Sequence, residues 1–350
     1  MPPAVSLPIE TRPHDPTVSR KVSPDADVAV KAVRAIWVVT ALMMIATWAS
    51  YRLASLACDV WSASHAMLVV AACLAIAYFY RRWRPDPIIS FGAEACAQLC
   101  IILTLGMLLS YPLAVIAFPY RDAELHAIDL SLGMHWRSYI RFFNMHPSLN
   151  AISDAAYHSI RVQFLIVIGV LAATSHFVRL QQFILAITFS LLVTLMIFAF
   201  SPAVGAYTHL QIPSGDYVNL SPSFIYLQHL DAMRSGGGGG FLISVDRMQG
   251  IITFPSFHTV CAILFAWALL PIRPLRWWIV ALNGLMISAT PTAGGHYFID
   301  LVGGSIVAAC AIAGASLFTH MLRIGAMSGI LSPGRIDLGS PYSSSAIKAD

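Results

Sequence analysis

TFPSFHTV at residues 253–260 and AGGHYFIDLVGG at residues 293–304 each set a histidine at the mouth of a long apolar run. A helix needs about 18 or more apolar residues to cross a hydrocarbon core about 30 Å thick. Runs of that kind follow both histidines and recur along most of the chain. The 350 residues are 57% hydrophobic and 11% charged, against roughly 25% charged residues in a soluble domain. These features predict an all-α polytopic membrane protein.

About eight transmembrane helices are expected, near Ala35–Ala57, Val60–Tyr80, Ala95–Phe118, Val162–Phe177, Phe183–Phe200, Ile251–Leu270, Trp277–Thr290 and Tyr297–Leu322. Residues 1–34 carry prolines and mixed charges and read as a disordered cytoplasmic tail, with no small-residue cleavage site after the first apolar run. Residues 323–350, rich in Ser, Gly and Pro, bury too little apolar surface to order themselves and read as a flexible cytoplasmic tail. Between the tails lie two extra spans, 35–90, and a membrane-embedded core, 91–322.

The short loops set the orientation. RRWRPDP at 81–87 and PIRPLRW at 271–277 concentrate arginines that belong on the inner side. Both termini then lie in the cytoplasm, and both histidine motifs open on the outer face. The short loops fit a bacterial inner membrane with a periplasmic site. The net charge of +4 reports this topology; no basic stripe interleaved with aromatics suggests nucleic acid. The six cysteines show neither a CxxC pair nor a zinc spacing and read as small core residues.

His296 and Asp300 are four residues apart, so on a helix they share a face and the carboxylate can hold one imidazole nitrogen. The other nitrogen is then an oriented nucleophile toward phosphorus, and His258 is placed to donate the proton a leaving oxygen needs. Ionisable groups at the mouths of spans are costly and by default mark function. Ser256 and Gly295 bring backbone amides near helix starts, where a phosphate could bind. An ordinary tight turn accounts equally for Gly294 and Gly295, and close helix packing for Gly303 and Gly304.

The two motifs resemble the type 2 phosphatidic acid phosphatase superfamily, whose three motifs read K-x6-R-P, P-S-G-H and S-R-x5-H-x3-D. PSFH at 255–258 is similar to the second, and ATPTAGGHYFID at 289–300 to the third. HYFIDL is most similar to the inositol phosphorylceramide synthase branch. The resemblance implies a six-helix phosphatase-like core over Ala95 to Leu322. It also implies a phosphohistidine on His296, Asp300 as its orienting partner, and His258 as the acid. The implied substrate is a phospholipid, sphingolipid or polyprenyl phosphate, the implied acceptor is water or an alcohol such as inositol, and no metal or other cofactor is required.

Three positions depart from the motifs: Phe257 stands in place of glycine, and Ala289 and Thr290 in place of serine and arginine. The first motif is absent, since no lysine lies between Lys31 and Lys348. Arg234 and Arg247, in the outer loop before PSFH, are the candidate phosphate ligands, because arginine binds phosphate in a bidentate fork; each could equally be a solvated loop charge. In the loop after the third span, Leu125, Ile128, Leu132, Trp136, Ile140 and Phe143 recur at helical spacing and predict an interfacial helix on the membrane surface. The five glycines at 236–240 read as a linker or lid. Two other classes remain open: a metal centre built from His258, His296 and Asp300, and a transporter with an intramembrane His/Asp relay.

Overall fold

The computed structural model describes residues 24–220, 222, 224–235 and 241–331. The five-glycine run at 236–240 lies outside them, as do 1–23 and 332–350. Among the described residues the chain forms thirteen α-helices and one two-stranded sheet.

Eight of the helices match the expected spans: α1 (Pro24–Leu53), α2 (Ser64–Arg82), α3 (Pro87–Val115), α7 (Ile160–Ala173), α8 (Phe177–Phe200), α11 (Phe257–Leu269), α12 (Arg276–Gly294) and α13 (Phe298–Leu331). The other five are α4 (Asp122–Ser131), α5 (Trp136–Met145), α6 (Pro147–His158), α9 (Ala206–His209) and α10 (Ile225–Arg234). α1, α2, α3, α8 and α13 are each long and apolar enough to cross a membrane; α6 and α7, bent by 54° at their junction, pass the same test together. α11 is apolar but shorter, at 13 residues. The chain is an all-α polytopic membrane protein.

Local signals set the helix starts. α3 begins with Pro87 at its first position, and the Asp86 carboxylate accepts from the amides of Ile88 at 2.9 Å and Ile89 at 3.2 Å, which satisfies donors that have no partner inside the helix. α1 starts at Pro24, ahead of the expected Ala35, with Asp25 and Asp27 in its first turn; the end of the presumed 1–34 tail is therefore helical. α13 likewise continues past residue 322 to Leu331. Arg323 meets Asp25 at 2.7 Å, so the start of α1 and the end of α13 share one end of the bundle.

α1, expected as one of two extra spans, packs into the bundle. Ala29, Val30, Val33, Ile36 and Met43 are buried in the same cluster as Phe183 of α8, Phe265 of α11 and Ala308 of α13. By contrast α2 packs against α3 and leaves Met67, Leu68 and Val69 exposed, as a lipid-facing helix does.

The expected single interfacial helix is also corrected. It is three helices, α4, α5 and α6, interrupted at Gly133, whose φ is +74°, and at Pro147. Its apolar face meets protein: Leu125, Trp136, Ile140 and Phe143 are buried with Tyr207, Leu220 and Tyr297. Only Ile128 and Leu132 of the six stay exposed. The periodicity identified helix correctly, but an apolar face takes whichever apolar partner lies nearest. Here that is a cap over the start of α13. A short parallel pair, β1 (Ala57–Asp59) with β2 (Leu242–Ser244), ties the α1–α2 junction to the loop before α11.

Candidate active site

The two motifs meet at the end of the bundle opposite the Arg323–Asp25 pair. α12 ends where Gly295 adopts the left-handed conformation, φ +67°, a geometry that costs side-chain-bearing residues energy. His296 follows at once, then α13. His296 Nδ1 lies 3.0 Å from Asp300 Oδ2, and the same oxygen accepts from the Tyr297 amide at 3.0 Å. Asp300 is fully buried and His296 is 5% exposed. With Nδ1 engaged by Asp300, Nε2 is the other ring nitrogen.

α11 brings the second histidine. Ser256 caps this helix, its hydroxyl accepting from the Thr259 amide at 3.3 Å, and His258 occupies the first turn. The Ser256 amide donates to the Asp300 carbonyl at 3.1 Å, a direct backbone link between the two motifs. Gly304 allows this approach: a Cβ there would lie 2.5 Å from the Ser256 carbonyl oxygen. Tyr157 lies beside both histidines: its hydroxyl oxygen is 3.3 Å from His258 Nδ1, and a Cβ on Gly294 would lie 2.8 Å from both Tyr157 Oη and His296 Cδ2.

The His296 loop is fastened from several elements. Trp136 Nε1 donates to the His296 carbonyl at 3.0 Å, and the Ala206 amide to the Gly295 carbonyl at 2.8 Å. Tyr207 Oη donates to the Thr292 carbonyl at 2.8 Å. Asp129, buried on α4, accepts from the amides of Phe298 at 2.9 Å and Ile299 at 2.8 Å, which caps α13 from outside its own chain segment. Burial pushes the Asp129 carboxyl up from its ordinary range, while those two amides pull the other way. Asp122, seven residues earlier on the same helix face, accepts from the amides of Val204 and Gly205, each at 2.9 Å, and from Tyr297 Oη at 3.0 Å.

The structure thus brings together His258, His296, Asp300 and Gly295 of the sequence-derived set. Ser256 is adjacent but fully buried, its hydroxyl engaged in capping, so its place is structural. Arg234 and Arg247 are not joined to the histidines. Arg234 donates to the Phe118 carbonyl at 2.7 Å and lies 4.0 Å over the Tyr120 ring; Arg247 is exposed beside β2. Thr290, at the position of the motif arginine, is buried and donates to the Met286 carbonyl at 3.0 Å. Among the described residues no group of three His, Cys, Asp or Glu side chains is arranged to hold a metal ion.

Sequence reasoning missed Asp122, Asp129, Trp136 as a donor, and Tyr157. The seven-residue spacing of the two aspartates was readable as one face of α4, but the backbone amides they accept from lie 82 or more residues away in sequence. Trp136 was legible only as part of an apolar stripe.

A family model described as the PAP2 superfamily matches residues 123–314, more than half of the chain and narrower than the expected 95–322. No curated protein and no solved structure matches.

Proposed function

The chain belongs to the PAP2 superfamily, and from that premise we propose that it cleaves a lipid phosphoester through a phosphohistidine on His296. The observation that carries this reading is the buried Asp300 carboxylate on His296 Nδ1, which holds the ring and leaves Nε2 to attack phosphorus. His258 donates a proton to the leaving oxygen. Water or an alcohol then attacks the phosphohistidine, gives its proton to His258 and frees His296. Hydrolysis and transfer share the first half, so the same site serves a phosphatase or an inositol-type phosphotransferase.

The amphiphilic substrate keeps its tails among the apolar helices and its phosphate at the two histidines. The arginine-rich loops at 81–87 and 271–277 support cytoplasmic termini and a site on the outer, periplasmic face of a bacterial inner membrane. The HYFIDL stretch supports the inositol-transfer branch.

The test compares purified wild type with His296→Ala on phosphate-labelled lipid, with and without inositol and with chelator throughout. Released phosphate that vanishes in the variant supports a phosphatase; a new inositol-bearing lipid supports a transferase. Equal turnover by both proteins would sink the catalytic reading. Substrate movement without bond cleavage would favour the transporter.

A further inference from the structure

Tyr157 lies near the end of α6, outside both motifs, yet it reaches both histidines. Its ring stacks on the His258 imidazole, with centroids 4.1 Å apart and planes 11° from parallel, and its hydroxyl oxygen is 3.3 Å from His258 Nδ1. The same hydroxyl borders the His296 loop. A Cβ on Gly294 would lie 2.8 Å from Tyr157 Oη, 2.8 Å from His296 Cδ2 and 3.3 Å from His296 Nε2. Tyr157 Oη and the reactive edge of His296 therefore flank one small space that glycine at 294 leaves open.

We propose that Tyr157 is a positioning residue for proton transfer: its ring, stacked on the imidazole, holds His258 in plane, so that Nε2 carries the proton delivered to the leaving oxygen. The proposal rests on the acid role assigned to His258 above. In the first half-reaction the His296 Nε2 lone pair forms the N–P bond and the P–O bond breaks. The departing oxygen keeps that electron pair and takes the proton from His258 Nε2. The second proton of the imidazolium stays on Nδ1. The π face of the tyrosine favours the charged ring before transfer. In the second half the attacking water or alcohol returns a proton to Nε2, and the stacking contact is unchanged throughout.

A tyrosine that merely filled space would slow every substrate alike. One that acts through the general acid should matter most where the leaving group needs a proton. Wild type, Tyr157→Phe, Tyr157→Leu and His258→Ala are assayed on two short-chain lipid phosphoesters that differ only in the leaving group, an alkanol or 4-nitrophenol. General acids contribute about 10²–10⁴-fold. Tyr157→Leu, which removes the stacked ring, is expected to lose about 10-fold or more on the alkanol ester relative to the nitrophenyl ester, in the direction set by His258→Ala. Tyr157→Phe, which keeps the ring, should show the same bias more weakly. Turnover of the nitrophenyl ester by each variant reports that the site is folded. Equal losses on both esters, or no loss in either tyrosine variant, would overturn the proposal. A wild type inactive on both esters would overturn the lipid phosphoester reading itself, a result distinguishable from either.

Discussion

Gly304→Ala tests whether the contact between α11 and α13 sets the spacing of the two histidines. The added methyl would meet the Ser256 carbonyl oxygen at 2.5 Å and Thr259 Cβ at 3.1 Å. Ordinary contact begins near 3.4 Å, so the start of α11 must move by about 0.9 Å, and the obstacle is backbone, which cannot rotate away. The Ser256 amide bond to the Asp300 carbonyl, 3.1 Å long, lengthens with it, and His258 lies two residues further on. Misplacement of about 1 Å can cost about 100-fold in rate. Stability should change far less, because alanine gains about 1 kcal/mol of helix propensity against about 1–3 kcal/mol of overpacking. The assay is phosphate release from a lipid phosphoester beside thermal unfolding in detergent. Gly314→Ala in the same helix is the control, since a Cβ there meets nothing within 4 Å; it should keep full activity and unfold slightly higher. If Gly304→Ala stays within about twofold of wild type, or falls no further than Gly314→Ala, the packing contact does not position the acid and this account of the geometry is wrong.

Two further substitutions separate the site from the scaffold. Asp129→Ala removes the acceptor for the Phe298 and Ile299 amides; cap losses run about 0.5–2 kcal/mol, and turnover should fall more steeply than the melting temperature because His296 lies two residues before the released amides. At the other end of the bundle, buried Glu94 accepts from Trp37 Nε1 at 2.9 Å and pairs with Arg81. Glu94→Ala should cost about 1–3 kcal/mol in thermal unfolding with kcat unchanged; a selective loss of kcat would show that this end is coupled to the histidines.

The helices and the His296–Asp300 contact were legible in the sequence for one reason: both rest on local periodicity. A four-residue spacing puts His296 and Asp300 on one face whatever surrounds them. Apolar length marks a span in any fold. Local periodicity fails where the partner of a face must be known. The stripe from Leu125 to Phe143 looks the same whether it lies on lipid or on Tyr207 and Tyr297, and only the tertiary structure chooses. Gly133 and Pro147 did announce that the stripe was broken. The acids in the first turn of α1 were likewise a readable start signal, obscured by the prolines before them. For Arg234 and Arg247, charge type narrows a phosphate ligand only to a loop, and the loop conformation, which sets Arg234 on the Phe118 carbonyl and leaves Arg247 exposed, carries no periodicity to read.

The pattern of bonds around His296 explains why so much of the site lies outside the motifs. A histidine that must present one nitrogen at a fixed point needs its backbone held as well as its ring. Asp300 holds the ring from within the helix. The backbone on either side, from Gly295 to Ile299, is held by Ala206, Trp136 and Asp129, all from segments between α3 and α11. Those segments need not touch substrate to be essential, and they carry no spacing that a motif could register. In this chain the membrane helices bring the two histidines to one end of the bundle, while the cap formed by α4, α5 and α9 holds the backbone around His296. Substitutions in the cap should therefore lower kcat before they lower the melting temperature, whereas substitutions among Phe183, Phe265 and Ala308 should do the reverse.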